Sequence, residues 1–142
     1  MIRLRRLRGS ETMRSLVRET RVTIQDLVYP LFVKDGEGDK VLVDSMPGIY
    51  QYPLSLLKEE IDKVVAAGIP AVLLFGIPKQ KDECASEAYK EDGIMQRAVA
   101  KIKEWAPELI VIADVCMCEY TSHGHCGVVK EGRILNDETL PL

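Results

Sequence analysis

The sequence of 142 residues contains no apolar run long enough to cross a bilayer, so a membrane-spanning helix is not expected. Two of its longest apolar runs are residues 71–75 and 109–113. No apolar segment follows the basic start, so no secretory signal is predicted and a cytoplasmic location is expected. The net charge is only −3, so charge favours neither nucleic acid nor a membrane as a partner.

The first 21 residues lack lysine and aromatic side chains, but they contain seven arginines: Arg3, Arg5, Arg6, Arg8, Arg14, Arg18 and Arg21. Three interpretations compete: an arm that binds nucleic acid, a transit peptide, or an arm that lies on a partner subunit. The lack of aromatic residues weakens the nucleic-acid interpretation. The subunit-binding interpretation is favoured by apolar residues among the arginines, namely Leu4, Leu7, Leu16 and Val17. We therefore predict a subunit-binding arm at residues 1–22 and a folded domain at residues 23–142.

Three apolar stretches predict buried β-strands, at residues 26–33, 71–77 and 109–115. The second and third are nearly unbroken, which is typical of parallel strands covered on both faces. Pro30 cannot donate a ladder hydrogen bond, so we expect it at an end, an edge or a bulge.

Helical spacing of apolar residues fills the gaps between these strands, with Leu57, Ile61, Val64 and Val65 in one set and Met95, Ala98, Val99 and Ile102 in the other. Gly68 and Pro70 predict the end of the first helix, and Asp92-Gly93 predicts the start of the second. Residues 34–52 are predicted to be a long connection. The alternation of strands and helices favours a right-handed parallel β/α array.

The predicted strands begin about 45 and about 38 residues apart. A closed eight-unit barrel at that period needs roughly 300 residues, and three strands cannot close one. Asn136-Asp137-Glu138 resembles the start of a further helix. The sequence therefore predicts an incomplete β/α domain.

Three of the four cysteines and both histidines lie within residues 116–126. In a reducing compartment, clustered cysteines bind metal more often than they form disulfides. Because side chains alternate along a strand, Asp114, Cys116 and Cys118 are expected on one face, at the strand end where parallel β/α folds place active sites. A turn at Gly124 could bring Cys126 back as a third ligand.

Three thiolates without a fourth cysteine nearby indicate an open coordination position, which is typical of catalytic rather than structural zinc sites. Sulfur ligands favour zinc over magnesium or calcium. Two alternatives stay open: His123 or His125 could complete a structural site, and Asp114 could be a hydrogen-bonded strand-end acid rather than a reactant. Cys84 is predicted to lie outside the site.

The stretch from Asp114 to Gly127, DVCMCEYTSHGHCG, closely resembles the metal-binding signature of zinc-type 5-aminolevulinate dehydratases. Other segments resemble the family in the same order: residues 3–8, 16–20, 29–33, 45–48, 74–76, 81–83 and 136–140. The resemblance implies an α/β fold of the TIM (β/α)8 barrel family, represented here by the N-terminal arm and about the first three β/α units. In that family the arm embraces a neighbouring subunit, usually within a homo-octamer.

Members of this family are lyases that condense two molecules of 5-aminolevulinate into porphobilinogen, an early step of tetrapyrrole and haem biosynthesis. The resemblance implies that Cys116, Cys118 and Cys126 bind Zn²⁺ and that Asp114 is an active-site acid. The family forms Schiff bases through two lysines on later barrel strands, and no lysine of this sequence has a matching place. The isolated chain is therefore expected to be inactive; the alternative is a non-catalytic zinc-binding or oligomerisation fragment.

Overall fold

The computed structural model describes residues 2–142, which form seven strands and four α-helices. The strands are β1 Val28–Lys34, β2 Val41–Leu42, β3 Tyr50–Pro53, β4 Ala71–Ile77, β5 Ile110–Ala113, β6 Val129–Lys130 and β7 Arg133–Ile134. The helices are α1 Glu11–Leu16, α2 Leu54–Ala66, α3 Ile94–Trp105 and α4 Asn136–Thr139. Short 3₁₀ turns lie at Leu4–Arg8, Ile24–Asp26 and Ser86–Ala88.

Five strands form one open sheet in the order β2-β3-β1-β4-β5. β4 runs parallel to both of its neighbours, pairing with β1 from Val28↔Ala71 onward and with β5 from Ala71↔Ile110 onward. β3 is parallel to β1, and only β2 is antiparallel to its neighbour. β6 and β7 form a separate hairpin. The expected mostly parallel α/β sheet is therefore confirmed.

Helices α2 and α3 pack on one face of the sheet and form the core with it. The buried residues of α2 repeat at helical spacing, as do those of α3, so each helix turns one apolar stripe toward the strands. Gly68 follows α2 with a φ of 74°, a left-handed conformation that suits glycine at a helix end. The core cluster comprises Leu31, Val33, Tyr52, Leu57, Ile61, Val64, Val72, Leu74, Ile94, Met95, Ala98, Ile102 and Leu109.

The predicted strand at residues 71–77 matches β4, whereas the other two differ at their ends. β1 begins two residues late because residues 24–26 form a turn in which the Asp26 carboxylate accepts hydrogen bonds from Thr23. Pro30 lies where β1 is paired only with β4, since β3 joins β1 at Phe32. One side of β1 is therefore unpaired at Pro30, so the lack of a backbone N–H at this residue can be tolerated there.

The third predicted strand is shorter than expected and is not covered on both faces. β5 ends at Ala113, and three of its four residues are exposed. The reason is its place at the edge of the sheet, where β4 is its one neighbour among residues 2–142. On β4 and β1, the face turned away from the helices is only partly buried, and there Phe32 and Phe75 stack with ring centroids 5.2 Å apart.

The segment 34–52, predicted as a connection, contains strand β2 and most of β3. Tyr50 and Tyr52 alternate as strand residues do, but the segment is too short for its periodicity to be recognised. Its strand form depends on pairing with β1, which is distant in sequence. A smaller difference concerns α4, where Leu135 rather than Asn136 occupies the N-cap position.

The described part of the predicted arm, residues 2–22, is exposed along its whole length, and Met1 lies outside the described residues. Helix α1 begins after Ser10, whose hydroxyl accepts a hydrogen bond from the backbone N–H of Met13. The boundary between arm and domain at residue 22 stays a prediction. Over residues 2–142, no helix combines the length and the apolar character needed to cross a bilayer.

A buried carboxylate ties helix α2 to strand β1. Glu60 is only 8% exposed, accepts a hydrogen bond from the Tyr29 hydroxyl at 2.8 Å and forms an ion pair with Lys63 at 2.9 Å. Burial alone would raise the pKa of Glu60, but hydrogen bonds from Lys63 and Tyr29 outweigh it and lower the pKa below its usual value. The carboxylate is therefore held in its charged form.

Glu60→Gln is expected to lower the free energy of unfolding at pH 7 by about 2 kcal/mol, because a hydrogen-bonded charge is lost from a buried position. A lowered folded-state pKa stabilises the fold above the unfolded value of about 4.3, and this stabilisation disappears as the pH falls through the folded value. Urea unfolding at pH 7 and pH 4 should therefore show a smaller pH dependence for the variant. Exposed Glu59 provides the control Glu59→Gln, and an equal loss in both variants would contradict the assignment.

Candidate functional site

Three cysteines gather in the segment that follows β5. The Sγ atoms of Cys116 and Cys118 are 2.7 Å apart, and the Sγ atoms of Cys116 and Cys126 are 3.9 Å apart. Cys116 and Cys118 are half-buried, whereas Cys126 is exposed. The turn around Gly124, with a φ of 73°, returns the chain so that Cys126 approaches the other two. The structure thus brings the three predicted ligands together beyond the carboxyl end of a parallel strand.

The sulfur–sulfur distances can be compared with those around a tetrahedral ion. Two sulfurs that each lie about 2.3 Å from such an ion are about 3.8 Å apart. The distance between Cys116 and Cys126 fits this value, but the distance between Cys116 and Cys118 is about 1 Å too short. Within residues 2–142, no group of three or more His, Cys, Asp or Glu side chains has the geometry to coordinate a metal ion as the side chains are oriented here. The donor set suits a soft cation, and one cysteine side chain would have to rotate to accommodate it.

The protonation of the cluster follows from the close approach of the thiols. A hydrogen bond with Cys118, together with burial, raises the pKa of Cys116 to about 12. The backbone N–H of Met117 donates to the Cys126 sulfur at 3.2 Å. Binding of a cation would reverse the preference for the thiol form, because the ligands of a soft metal are thiolates.

Tyr120 fixes the cysteine segment on the sheet. Its buried ring lies over Gly76, near the carboxyl end of β4. A Cβ atom at Gly76 would overlap the Tyr120 hydroxyl and lie 3.3 Å from ring atom Cζ. The absence of a side chain at Gly76 therefore allows the ring to sit where it does.

A second loop, residues 82–86, holds the same segment from the other side. The backbone N–H of Asp82 donates to the Tyr120 carbonyl at 3.3 Å, and Ser122 N–H donates to the Asp82 carbonyl at 2.9 Å. The Asp82 carboxylate in turn accepts hydrogen bonds from the backbone N–H groups of Cys84 and Ser86 and from the Ser86 hydroxyl. These bonds lower the pKa of Asp82, with the Ser86 hydroxyl as the largest cause. The loop is thus ordered by a charged acceptor.

Two carboxyl groups belong to the same segment as the thiols. Asp114 is half-buried at the end of β5, where its backbone N–H donates to the Leu74 carbonyl at 3.1 Å. Burial is the largest cause that raises the pKa of Glu119 to about 7, and the negative charge of Asp114 adds to it. The positive charge of Lys81 lowers the pKa by a smaller amount. One Glu119 oxygen is buried without a hydrogen-bond partner among the described residues. Asp114, Cys116 and Tyr120 also line a cavity of about 380 Å³.

The histidines pack against each other, with ring centroids 5.8 Å apart. The backbone N–H of His125 donates to Nδ1 of His123 at 3.2 Å, and Nε2 of His123 lies 3.4 Å from the Glu83 carbonyl. Both ring nitrogens of His123 therefore have neighbours within the loops. Cys84 is exposed, as expected for a thiol outside the cluster.

Sequence reasoning selected the cysteines, Asp114 and the histidines, but it assigned no role to Gly76, Tyr120 or Thr121. Asp82 entered only as part of a segment resembling a family. The close packing of Gly76 and Tyr120 has no periodic signal, because it joins positions 44 residues apart. Only the similarity of both segments to one family pointed to these residues.

Fold and site together define the class: an α/β protein with a mostly parallel sheet, whose polar and thiol side chains follow the carboxyl end of a strand. The sequence model of the Delta-aminolevulinic acid dehydratase family matches residues 1–142, and the chain belongs to this family. The resemblance noted from the sequence is thereby confirmed.

Relatives carry the same family name. The chain is 52% identical to Delta-aminolevulinic acid dehydratase of Bacillus subtilis, across 99% of the chain and 43% of that protein. It is 47% identical to the protein of that name from Ruminiclostridium josui, across 98% of the chain and 68% of that protein. The chain thus spans about 43% of the length of the Bacillus subtilis relative and of a second relative from Halalkalibacterium halodurans.

A solved structure shares the fold. The crystal structure of the dehydratase from Toxoplasma gondii, in complex with the reaction product porphobilinogen, superposes with a TM-score of 0.91 at 38% identity. The match covers 99% of this chain and 41% of that one. The open sheet described here therefore corresponds to one part of a longer chain in that protein.

Proposed function

We propose that this chain forms the metal-binding portion of a 5-aminolevulinate dehydratase, the lyase that condenses two 5-aminolevulinate molecules into porphobilinogen. One observation carries the proposal: three thiols converge beyond β5 in a chain that belongs to the dehydratase family. The porphobilinogen bound by the Toxoplasma gondii relative supports the choice of product. A cytoplasmic location is part of the proposal, because four free cysteines suit a reducing compartment.

Cys116, Cys118 and Cys126 would hold Zn²⁺, which suits three sulfur donors better than a hard cation does. When bound, zinc supplies Lewis-acid chemistry at an oxygen atom of the substrate or of water. Asp114 lies beside the thiols and lines the same cavity as Cys116. Its carboxylate would orient a cationic amine or accept a proton from a bound substrate.

The chain by itself is expected to bind one zinc ion and to form no porphobilinogen. The family's Schiff-base lysines have no counterpart here, since Lys79 and Lys81 lie in the loop after β4. The test combines the metal content of the purified, mass-verified chain with a colorimetric porphobilinogen assay containing zinc and 5-aminolevulinate. Absence of bound zinc would refute the metal site, and clear turnover would refute the separation of metal and Schiff-base functions.

The exposed segment before β1 supports a second part of the proposal, a contact with another subunit. Leu4 is 80% exposed and Leu16 is 76% exposed, although both are large and apolar. Exposed apolar side chains grouped on one segment are typical of a surface that binds protein. We propose that this arm binds a second copy of the chain, as the arm does in the family.

Replacing both Leu4 and Leu16 with glutamine is expected to lower self-association at least about tenfold, because two buried apolar contacts would be lost. Light scattering coupled to size-exclusion chromatography measures the association. Urea unfolding at a protein concentration where both chains are monomeric should remain unchanged, since both side chains are exposed and lie outside the core cluster. The matched control is Val65→Gln, an exposed apolar residue on α2. A monomeric parent chain at micromolar concentration would contradict the proposed contact.

A further inference from the structure

Thr121 occupies the centre of the cysteine segment and is almost completely buried, with 1% exposure. Its hydroxyl donates to the His125 carbonyl at 2.9 Å, and the Cys118 carbonyl lies 3.5 Å from the same oxygen. Cys118 is itself a predicted metal ligand, and His125 directly precedes Cys126, a second predicted ligand. The hydroxyl therefore connects the two ends of the loop that separates Cys118 from Cys126.

The backbone around Thr121 is held independently of this hydroxyl. The N–H groups of Tyr120 and Thr121 both donate to the Met117 carbonyl at 2.9 Å. Asp82 and Thr121 form an isolated parallel β-bridge that joins the two loops. Thr121 thus has a fixed backbone from which its hydroxyl can act on the exposed end of the loop.

The other end of the loop is held mainly by contacts within the loop: the Gly127 N–H donates to the His125 carbonyl at 3.1 Å, and the His125 N–H donates to Nδ1 of His123 at 3.2 Å. His125 and Cys126 are exposed. Gly124 N–H reaches the Thr121 carbonyl only at 3.4 Å. The hydrogen bond from the Thr121 hydroxyl is the side-chain contact that joins the His125 carbonyl, and with it the backbone beside Cys126, to the buried part of the segment.

Resting on the proposed metal site, we infer that Thr121 is a positioning residue that closes the cysteine loop and sets Cys126 against Cys116. A ligand held in place before the metal arrives loses less conformational freedom on binding. Groups that orient metal ligands typically change metal affinity by 10- to 100-fold when they are removed. Thr121 acts through the His125 carbonyl and does not itself touch the ion.

The test compares Thr121→Val, which keeps the shape but removes the hydroxyl, with Thr121→Ser, which keeps the hydroxyl. Zinc affinity is measured by competition with a chromophoric chelator, and Co²⁺ replaces zinc to report thiolate coordination through its absorption bands. Thr121→Val is expected to bind zinc at least about tenfold more weakly and to show weakened Co²⁺–thiolate bands. Thr121→Ser is expected to stay within about threefold of the parent chain.

Equal zinc affinity of Thr121→Val and the parent would overturn the inference, as would an equal loss in Thr121→Ser, because the methyl group would then be responsible. Far-UV circular dichroism of the metal-free chains checks folding. If Thr121→Val does not fold, Thr121→Ala removes the same hydroxyl with a smaller side chain and is judged by the same criteria. A parent chain that binds no zinc would instead overturn the proposed metal site, so the two failures are distinguishable.

Discussion

The zinc affinity of Cys116→Ser is expected to fall at least about 100-fold, because this residue is central to the proposed ligand set. Cys116 is the cysteine whose sulfur lies near both others, at 2.7 Å from Cys118 and 3.9 Å from Cys126. Serine keeps the size of the side chain but replaces a soft, ionisable thiol with a hydroxyl that does not ionise near neutral pH. Loss of a direct ligand should exceed the 10- to 100-fold cost of losing a group that only orients one.

The measurement is metal competition with a chelator, followed by thermal unfolding with and without zinc. At a zinc concentration 100 times its dissociation constant, the parent chain should gain about 2.7 kcal/mol of stability, and the variant should lose most of this gain. Cys84→Ser is the matched control, since Cys84 is exposed and lies in a different loop. Unchanged affinity in Cys116→Ser, or an equal loss in Cys84→Ser, would contradict the ligand assignment.

Gly76→Ala is expected to lower the free energy of unfolding by about 1–3 kcal/mol, as is usual when atoms are added to a filled core. The new Cβ would overlap the Tyr120 hydroxyl and lie in contact with Cγ2 of Ile94 at 3.4 Å. Tyr120 must then shift, and with it the carbonyl that accepts the hydrogen bond from Asp82. The substitution should therefore also weaken zinc binding, although Gly76 is not a ligand.

A double-mutant cycle separates this effect from general destabilisation. Tyr120→Phe removes the atom that overlaps the new Cβ, so adding it to Gly76→Ala should restore part of the stability. Gly9→Ala, at an exposed glycine with a φ of −70°, should change stability by less than about 0.5 kcal/mol. Urea unfolding gives the stabilities. Additive effects of Gly76→Ala and Tyr120→Phe would show that the two residues do not press on each other.

Strand β4 and helices α2 and α3 could be predicted from the sequence because each carries a strong local pattern. β4 is an unbroken apolar run, and the buried residues of α2 and α3 repeat at helical spacing. β3 could not be predicted, since its four residues become a strand only through pairing with β1. The exposure of β5 also differed from expectation, because an apolar run shows that a strand can be covered but not whether neighbours cover it.

For the site, the cysteine spacing and the turn at Gly124 indicated three thiols near one point, and the structure brings them close together. Which metal they bind stays a prediction. Spacing could not show the distance between the Cys116 and Cys118 sulfurs, because that distance depends on side-chain rotation. Nor could it show that both ring nitrogens of His123 have neighbours in the loops.

By itself the sequence determined the family, the parallel α/β class and the identity of the clustered donors, because these depend on residue types and on periodicities within short segments. Tertiary structure alone decided how that cluster is held: by the Tyr120 ring over Gly76 and by the bridge between Asp82 and Thr121. The physical reason is that these contacts join segments about 40 residues apart. They form only when folding places the carboxyl ends of β4 and β5 side by side.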